Sequence, residues 1–168
     1  MNFALRCLQL PVLEKKLIGG TLLVMKVLQV KKSIESGAVT KWLDQERLVN
    51  WLDHNHIFNI FFGGSLHPEV IKKSFYLLNF LYTSGRIQEA QLEQMWNVAT
   101  KKHEAFKAVI LKALAFLSSV LKPKELRYLF ERVRGMPLKD HDASSLALLK
   151  SISKVLAHKK SAPGAQIA

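Results

Sequence analysis

A cysteine nucleophile needs a histidine base beside it, and the chain offers one thiol, Cys7, and six histidines. Cys7 stands among Leu5, Leu8 and Leu10, the setting of a small buried hydrophobe rather than of an activated thiolate. His54 and His56 are one residue apart, which on a helix turns them about 200° from each other. They could share a metal only if the helix had already ended. His103-Glu104 lacks the second histidine four residues on that a zinc-protease helix uses. Neither phosphate-loop pattern, GxxxxGK(S/T) or GxGxxG, occurs, and the pairs Gly19-Gly20 and Gly63-Gly64 stand without that spacing. No catalytic residue, cofactor or metal is assigned from the sequence.

The chain carries 25 Lys and Arg against 13 Asp and Glu, a formal charge of +12 with a pI near 9.9. Such a balance draws phosphates, anionic lipid or acidic protein surfaces. Lysine pairs recur at Lys15-Lys16, Lys31-Lys32, Lys72-Lys73, Lys101-Lys102 and Lys159-Lys160, each beside a different helix. A nucleic-acid reader gathers its cations on one face and interleaves aromatics for stacking. Here Trp51, Phe75, Phe80, Trp96 and Phe106 fall on or near apolar stripes, as do Phe116 and Phe130, which leaves Trp42 alone to stack. A basic helical module binding nucleic acid or an anionic membrane surface is therefore the alternative reading rather than the first. A single cysteine excludes an internal disulfide and fits a reducing compartment, so cytoplasmic residence is expected, with the nucleus also open. The most apolar stretch, Leu17 to Val30, is interrupted by Lys26 and falls short of the ~20 residues of a membrane span, so no transmembrane segment is expected.

The elements that must position these residues are helices. Apolar residues recur at helical spacing almost everywhere, and no stretch alternates long enough to argue a strand. A first segment over about 2–10 stops at Pro11; a second, about 12–35, carries Leu13, Leu17, Val24, Val27, Leu28 and Ile34. Within it, Gly19-Gly20 costs roughly 1–2 kcal/mol against alanines, so either the helix kinks there or another helix packs closely on it. Leu48, Trp51, Leu52, Ile57, Ile60 and Phe61 describe a helix over about 45–62 that ends at Gly63-Gly64. His67-Pro68 opens the next, running to Gly85. Further helices are expected over about 88–101, over the strong stripe from Phe106 to Leu121, from Pro123 to Val133, and over about 142–158, where Leu146, Leu149, Ile152 and Val155 recur. That makes seven or eight helices joined by short connections, so that neighbours run antiparallel. A closed bundle and a solenoid of stacked pairs both satisfy this pattern.

Between Leu48 and Val133 the sequence resembles one family. The carrying phrases are LVNWLDHNHIFNIFFGGSLHPEVIKKSFYLLNFLY and LEQMWNVATKKHEAFKAVILKALAFLSSVLKPKELRYLFERV. Their marks are W-L-x-x-N-x-I at Trp51, Leu52, Asn55 and Ile57, then Leu66-His67, then Lys73, Leu78, Phe80 and Leu81. Trp96, Lys102-His103-Glu104-Ala105, and Pro123, Leu126 and Leu129 complete them. The chain is similar to the non-catalytic armadillo/HEAT-like repeat region of the large fat facets-type ubiquitin-specific proteases, and LEKKLIGGTLLV from Leu13 resembles the helix preceding that motif.

The resemblance implies an all-α, armadillo/HEAT-like solenoid segment of stacked antiparallel helix pairs. Its expected divisions are an N-terminal helical pair and linker over 1–44, the repeat region over 45–158, and a disordered tail over 159–168. It implies a scaffold in the ubiquitin pathway that meets a protein partner, such as a pathway substrate, through a helical groove. The family's protease domain needs a cysteine box resembling N-x-G-x-x-C and a distant histidine box, and Cys7 has no such context. The chain is thus expected to be part of a larger polypeptide whose hydrolase lies elsewhere. Partner contacts are expected at helix starts and ends: His67, Lys72, Lys73, Lys102, His103 and Glu104. Each has a plainer role open to it, His67 in the turn before Pro68, and His103-Glu104 at the start of the helix that follows.

Overall fold

The computed structural model describes residues 1–37, 43–63 and 66–161. Among them the chain is all helical: α1 (Asn2–Gln9), α2 (Leu13–Glu35), α3 (Gln45–His54), α4 (Ile57–Phe62), α5 (Pro68–Lys72), α6 (Phe75–Thr83), α7 (Glu89–Lys101), α8 (Glu104–Leu117), α9 (Pro123–Arg134) and α10 (Ala143–Ser161), with a 3-10 turn at Leu138–Asp140. Eight of these have seven residues or more, the number the periodicity implies.

The two extra helices arise because two apolar runs that read as single helices are each broken. At the α3–α4 junction His56 takes a left-handed conformation, φ 50°, which a non-glycine residue adopts rarely and which stops the helical ladder. Between α5 and α6 the buried Ser74 donates its hydroxyl to the Ile71 carbonyl, while its own N–H closes a tight turn onto the same oxygen. A side chain competing for a backbone acceptor is what shifts the register there. The apolar period is insensitive to both events, since each offsets the chain by about a turn and leaves the stripe on the core side.

Two rows of helices make up the solenoid. One row runs α2, α5 with α6, α8, α10, each packed on the next; the other runs α1, α3 with α4, α7, α9, each laid against its partner in the first. Polar bridges join the second row along its length. Trp51 Nε1 donates to Asn2 Oδ1, Gln94 donates to Asn59, and Arg132 and Lys124 pair with Glu93 and Glu89. One apolar core runs through the described residues, from Ala4 and Leu8 through Leu23, Phe61 and Leu77 to Leu148 and Ile152. Its densest part is α8, where Val109, Ile110, Leu111, Ala113, Leu114 and Leu117 are all buried.

At both ends of the stack the buried face differs from the one the large apolar residues suggest. On α2 the buried positions are Gly19, Gly20, Leu23, Val27 and Val30, while Leu13, Leu28 and Ile34 remain exposed. On α10 Leu148 and Ile152 are buried and Leu146 is 57% exposed. Small residues decide both faces. A Cβ on Gly19 would lie 2.6 Å from the Ala4 carbonyl oxygen and 3.0 Å from Cys7 Cβ. The glycine pair thus marks close helix packing, with α1 seated on Gly19. On α10, Ser151 lies against α8, its hydroxyl donating to the Ala115 carbonyl and meeting Ser118 Oγ at 2.7 Å.

The two glycines predict opposite responses. Gly19→Ala gains helix propensity but forces α1 away, and a net loss of about 1–3 kcal/mol is expected. At Gly20 the nearest atoms to an added Cβ are 3.6–3.7 Å away, ordinary contact, so Gly20→Ala is expected to stabilise by roughly 0.5–1 kcal/mol. Urea unfolding of the two variants checks the pair, and equal shifts would refute the packing argument.

Candidate interaction surface

The residues expected to meet a partner fall in two groups, with no hydrogen bond or ion pair linking them among the described residues. In the first, His67 is the N-cap of α5, and its ring Nδ1 accepts from the Glu69 N–H at 3.2 Å. Lys72 pairs with Glu69 one turn back, and its ammonium, hydrogen-bonded to that carboxylate, holds Glu69 below the usual carboxylate range. Lys73 closes the C-terminus of α5 with its N–H on the Val70 carbonyl. In the second, Lys102 is the extended residue after α7, His103 is the N-cap of α8 without a side-chain cap bond, and Glu104 is the first helical residue. Lys102 and Glu104 line a cleft of about 320 Å³ with Lys107, Met136 and Asp140.

Cys7 is 3% exposed, packed under Gly19 in the α1–α2 contact. Among the described residues no three His, Cys, Asp or Glu side chains come together as a metal site would require. No helix there is long and apolar enough to cross a membrane. Trp42, the one aromatic that reads as free to stack, lies outside the described residues, as do 162–168 of the expected tail; α10 continues to Ser161.

Two polar nodes tie neighbouring pairs together, and neither is marked in the sequence as a site. Tyr82 on α6 donates its hydroxyl to Glu125 Oε2 and accepts from the Lys122 N–H, while Glu125 also accepts that N–H at 2.8 Å. The α6 hydroxyl is thereby built into the N-terminus of α9. Burial and then the Glu125 carboxylate push the Tyr82 phenol up to about 12, against the opposing Lys122 N–H. The second node is Asp142, the residue before α10. Its Oδ1 accepts from the N–H groups of Ser144 and Ser145, and its Oδ2 meets Lys107 Nζ of α8 at 2.9 Å. Lys107 also donates to the Asp140 carbonyl. Burial alone would raise the Asp142 carboxyl, but the Lys107 and serine hydrogen bonds outweigh it and hold it below its ordinary value. Asp142-x-x-Ser145 is a legible capping pattern, whereas Tyr82 and Glu125, 43 residues apart, carry no local signal.

An apolar cleft lies elsewhere, between α2 and α6. A cleft of about 270 Å³ has Val27 and Phe80 as its floor, Leu28, Ile34 and Tyr76 as its walls, and Lys31 on its rim. Sequence reading placed Leu28 and Ile34 among core positions and did not single out Tyr76. Their exposure accompanies the close seating of α1 on Gly19, which turns the opposite face of α2 outward.

Comparison with known proteins places these features in a family. The model described as the UBP24/USP9X/USP9Y ARM repeat matches residues 1–163. The ubiquitin carboxyl-terminal hydrolase puf of Drosophila melanogaster is 32% identical over 111 residues, 66% of this chain and 3% of that protein. Ubiquitin carboxyl-terminal hydrolase 34 of Homo sapiens is 30% identical over 122 residues, 73% of this chain and 3% of its own length. Ubiquitin carboxyl-terminal hydrolase 9X of Mus musculus is 30% identical over 92 residues, 54% and 4% of the two chains. The chain therefore spans only 3–4% of the length of these curated relatives. No solved structure matches it.

Each polar node predicts a pH response. The Tyr82 phenol titrates higher folded than unfolded, so its stabilisation is complete below pH 10 and is lost as pH rises from there through about 12. Alkaline absorbance titration is expected to show a late-ionising tyrosine that disappears in Tyr82→Phe. That variant should also lose less stability over the same interval. The Asp142 carboxyl titrates lower folded than unfolded, so its contribution is complete above its ordinary value of 3.8 and fades as pH falls below it. Asp142→Ala should cost about 1 kcal/mol at neutral pH and flatten the acid limb of the stability curve; an unchanged limb would exclude Asp142 as its source.

Proposed function

We propose, from the premise that this chain belongs to the ARM repeat family of UBP24, USP9X and USP9Y, that it is a non-catalytic protein-docking segment of a ubiquitin-specific protease. In this reading the chain presents a partner or a ubiquitin-pathway substrate, and hydrolysis takes place in another part of the same polypeptide. The observation that carries it is the open stack: one row of helices leaves an apolar cleft and lysines uncovered, while the one thiol is buried under Gly19. A solenoid of this kind offers an extended surface to bind along. The exposed helix ends at His67, Lys72 and Lys73, and at Lys102, His103 and Glu104, belong to the proposal as contacts for that partner.

The test is to delete the segment from the polypeptide that carries it. Cleavage of a fluorogenic ubiquitin C-terminal amide should persist, and cleavage of ubiquitin from a subset of protein conjugates should fall. Loss of both together would make the segment part of the catalytic unit, and loss of neither would end the docking reading. The 168-residue chain by itself should release no fluorophore, with or without alkylation of Cys7; turnover abolished by alkylation would overturn the proposal outright.

A further inference from the structure

The formal +12 of the chain is unevenly distributed over the two rows. Helices α1, α3, α4, α7 and α9 carry seven basic and six acidic residues, close to neutral. Helices α2, α5, α6, α8 and α10 carry ten lysines with described side chains against four glutamates. Much of the excess charge therefore sits on the row that also holds the α2–α6 cleft. Glu35 and Glu69 pair with Lys31 and Lys72 of their own helices, which leaves eight lysines of this row to two glutamates.

The apolar surface on this row is continuous across three helices. Leu28 and Ile34 of α2 are 41% and 54% exposed and face Tyr76 of α6 across the cleft; Tyr76, itself 54% exposed, meets Phe116 of α8 edge-on at 5.8 Å. Lys31, paired with Glu35 only at 3.9 Å and across an exposed surface, stands at one end of this ridge. Lys112 stands at the other, one turn before Phe116 on the same face of α8. Packed helices lie about 8–10 Å apart, so the ridge from α2 to α8 is about 20 Å long. Extended chain covers that distance in about six residues.

We propose that this ridge binds an extended acidic peptide segment of a partner protein, with an apolar side chain seated in the α2–α6 cleft and carboxylates facing Lys31 and Lys112. The inference rests on the docking reading above and names the chemistry of the docked segment. The apolar cleft supplies what a phosphate backbone has no use for, a dry seat for an aliphatic or aromatic group, and the flanking lysines select against basic or neutral segments.

The probe is a fluorescein-labelled peptide of about eight residues, long enough to span the ridge, in which Asp and Glu surround a central Leu and Phe. It is titrated by anisotropy into the full 168-residue chain. Binding is expected to weaken tenfold or more in Tyr76→Ala and in Lys31→Glu/Lys112→Glu. Lys124→Glu, which reverses one lysine on the exposed end of α9 in the neutral row, should leave it unchanged. All these positions are exposed, and thermal melts verify that each variant folds. Equal binding of a peptide made only of Asp and Glu would overturn the cleft's role, and equal weakening by Lys124→Glu would overturn the ridge as the site. Tighter binding of a short DNA duplex than of the peptide, abolished by the same variants, would assign the ridge to nucleic acid instead. Absence of peptide binding refutes this inference alone, because the deletion experiment reads the docking function independently of which segment docks.

Discussion

Each helix pair of this chain leaves an apolar stripe that its own two helices cannot cover, and every other feature depends on the next pair covering it. The requirement is met most fully at α8, which packs against α5, α6, α7 and α10 and buries six consecutive-turn positions from Val109 to Leu117. Burial at that density is worth about 25 cal/mol for each Å² of apolar surface, far more than any single hydrogen bond along the stack. The polar nodes act differently: Tyr82 with Glu125, and Asp142 with Lys107, fix the angle and register at which successive pairs meet. Removing one should loosen a joint without dissolving the core.

Stacking in rows has an electrostatic consequence. The second row is laced by Arg132–Glu93, Lys124–Glu89 and amide bridges between helices, so its charges are largely spent on one another. The first row has few acids to pair with, and its lysines extend over an apolar ridge. A surface that combines an excess of positive charge with exposed aromatics is costly to leave bare and suited to be covered.

The candidate residues and the polar nodes divide by how they announce themselves. His67 before Pro68 and Asp142 before Ser145 are legible as helix starts because capping is a local matter of residue type and spacing. Lys102, His103 and Glu104 are legible as a helix boundary for the same reason. Tyr82 and Tyr76 are not legible: one finds its partner 43 residues away, and the other sits at a helical position that reads equally well as core. Tyr76 faces outward, 54% exposed, because Leu77, Leu78, Phe80 and Leu81 take the buried face of α6.

By itself the sequence determined that the chain is helical, about how many long helices it has, where most begin and end, and which repeat family it resembles, because periodicity, caps and glycine stops are local. It also located the close contact at Gly19-Gly20, leaving open whether a kink or a neighbouring helix explained it. Only the tertiary structure decided that α1 fills that contact, that α2 is thereby rotated to bury Leu23, Val27 and Val30 and expose Leu28 and Ile34, and that Leu146 of α10 faces outward. The physical reason is the same at both ends. Small residues let helices approach most closely, so Gly19 and Ser151 mark the buried face. A reading that weighs residues by their hydrophobicity gives these residues the least weight.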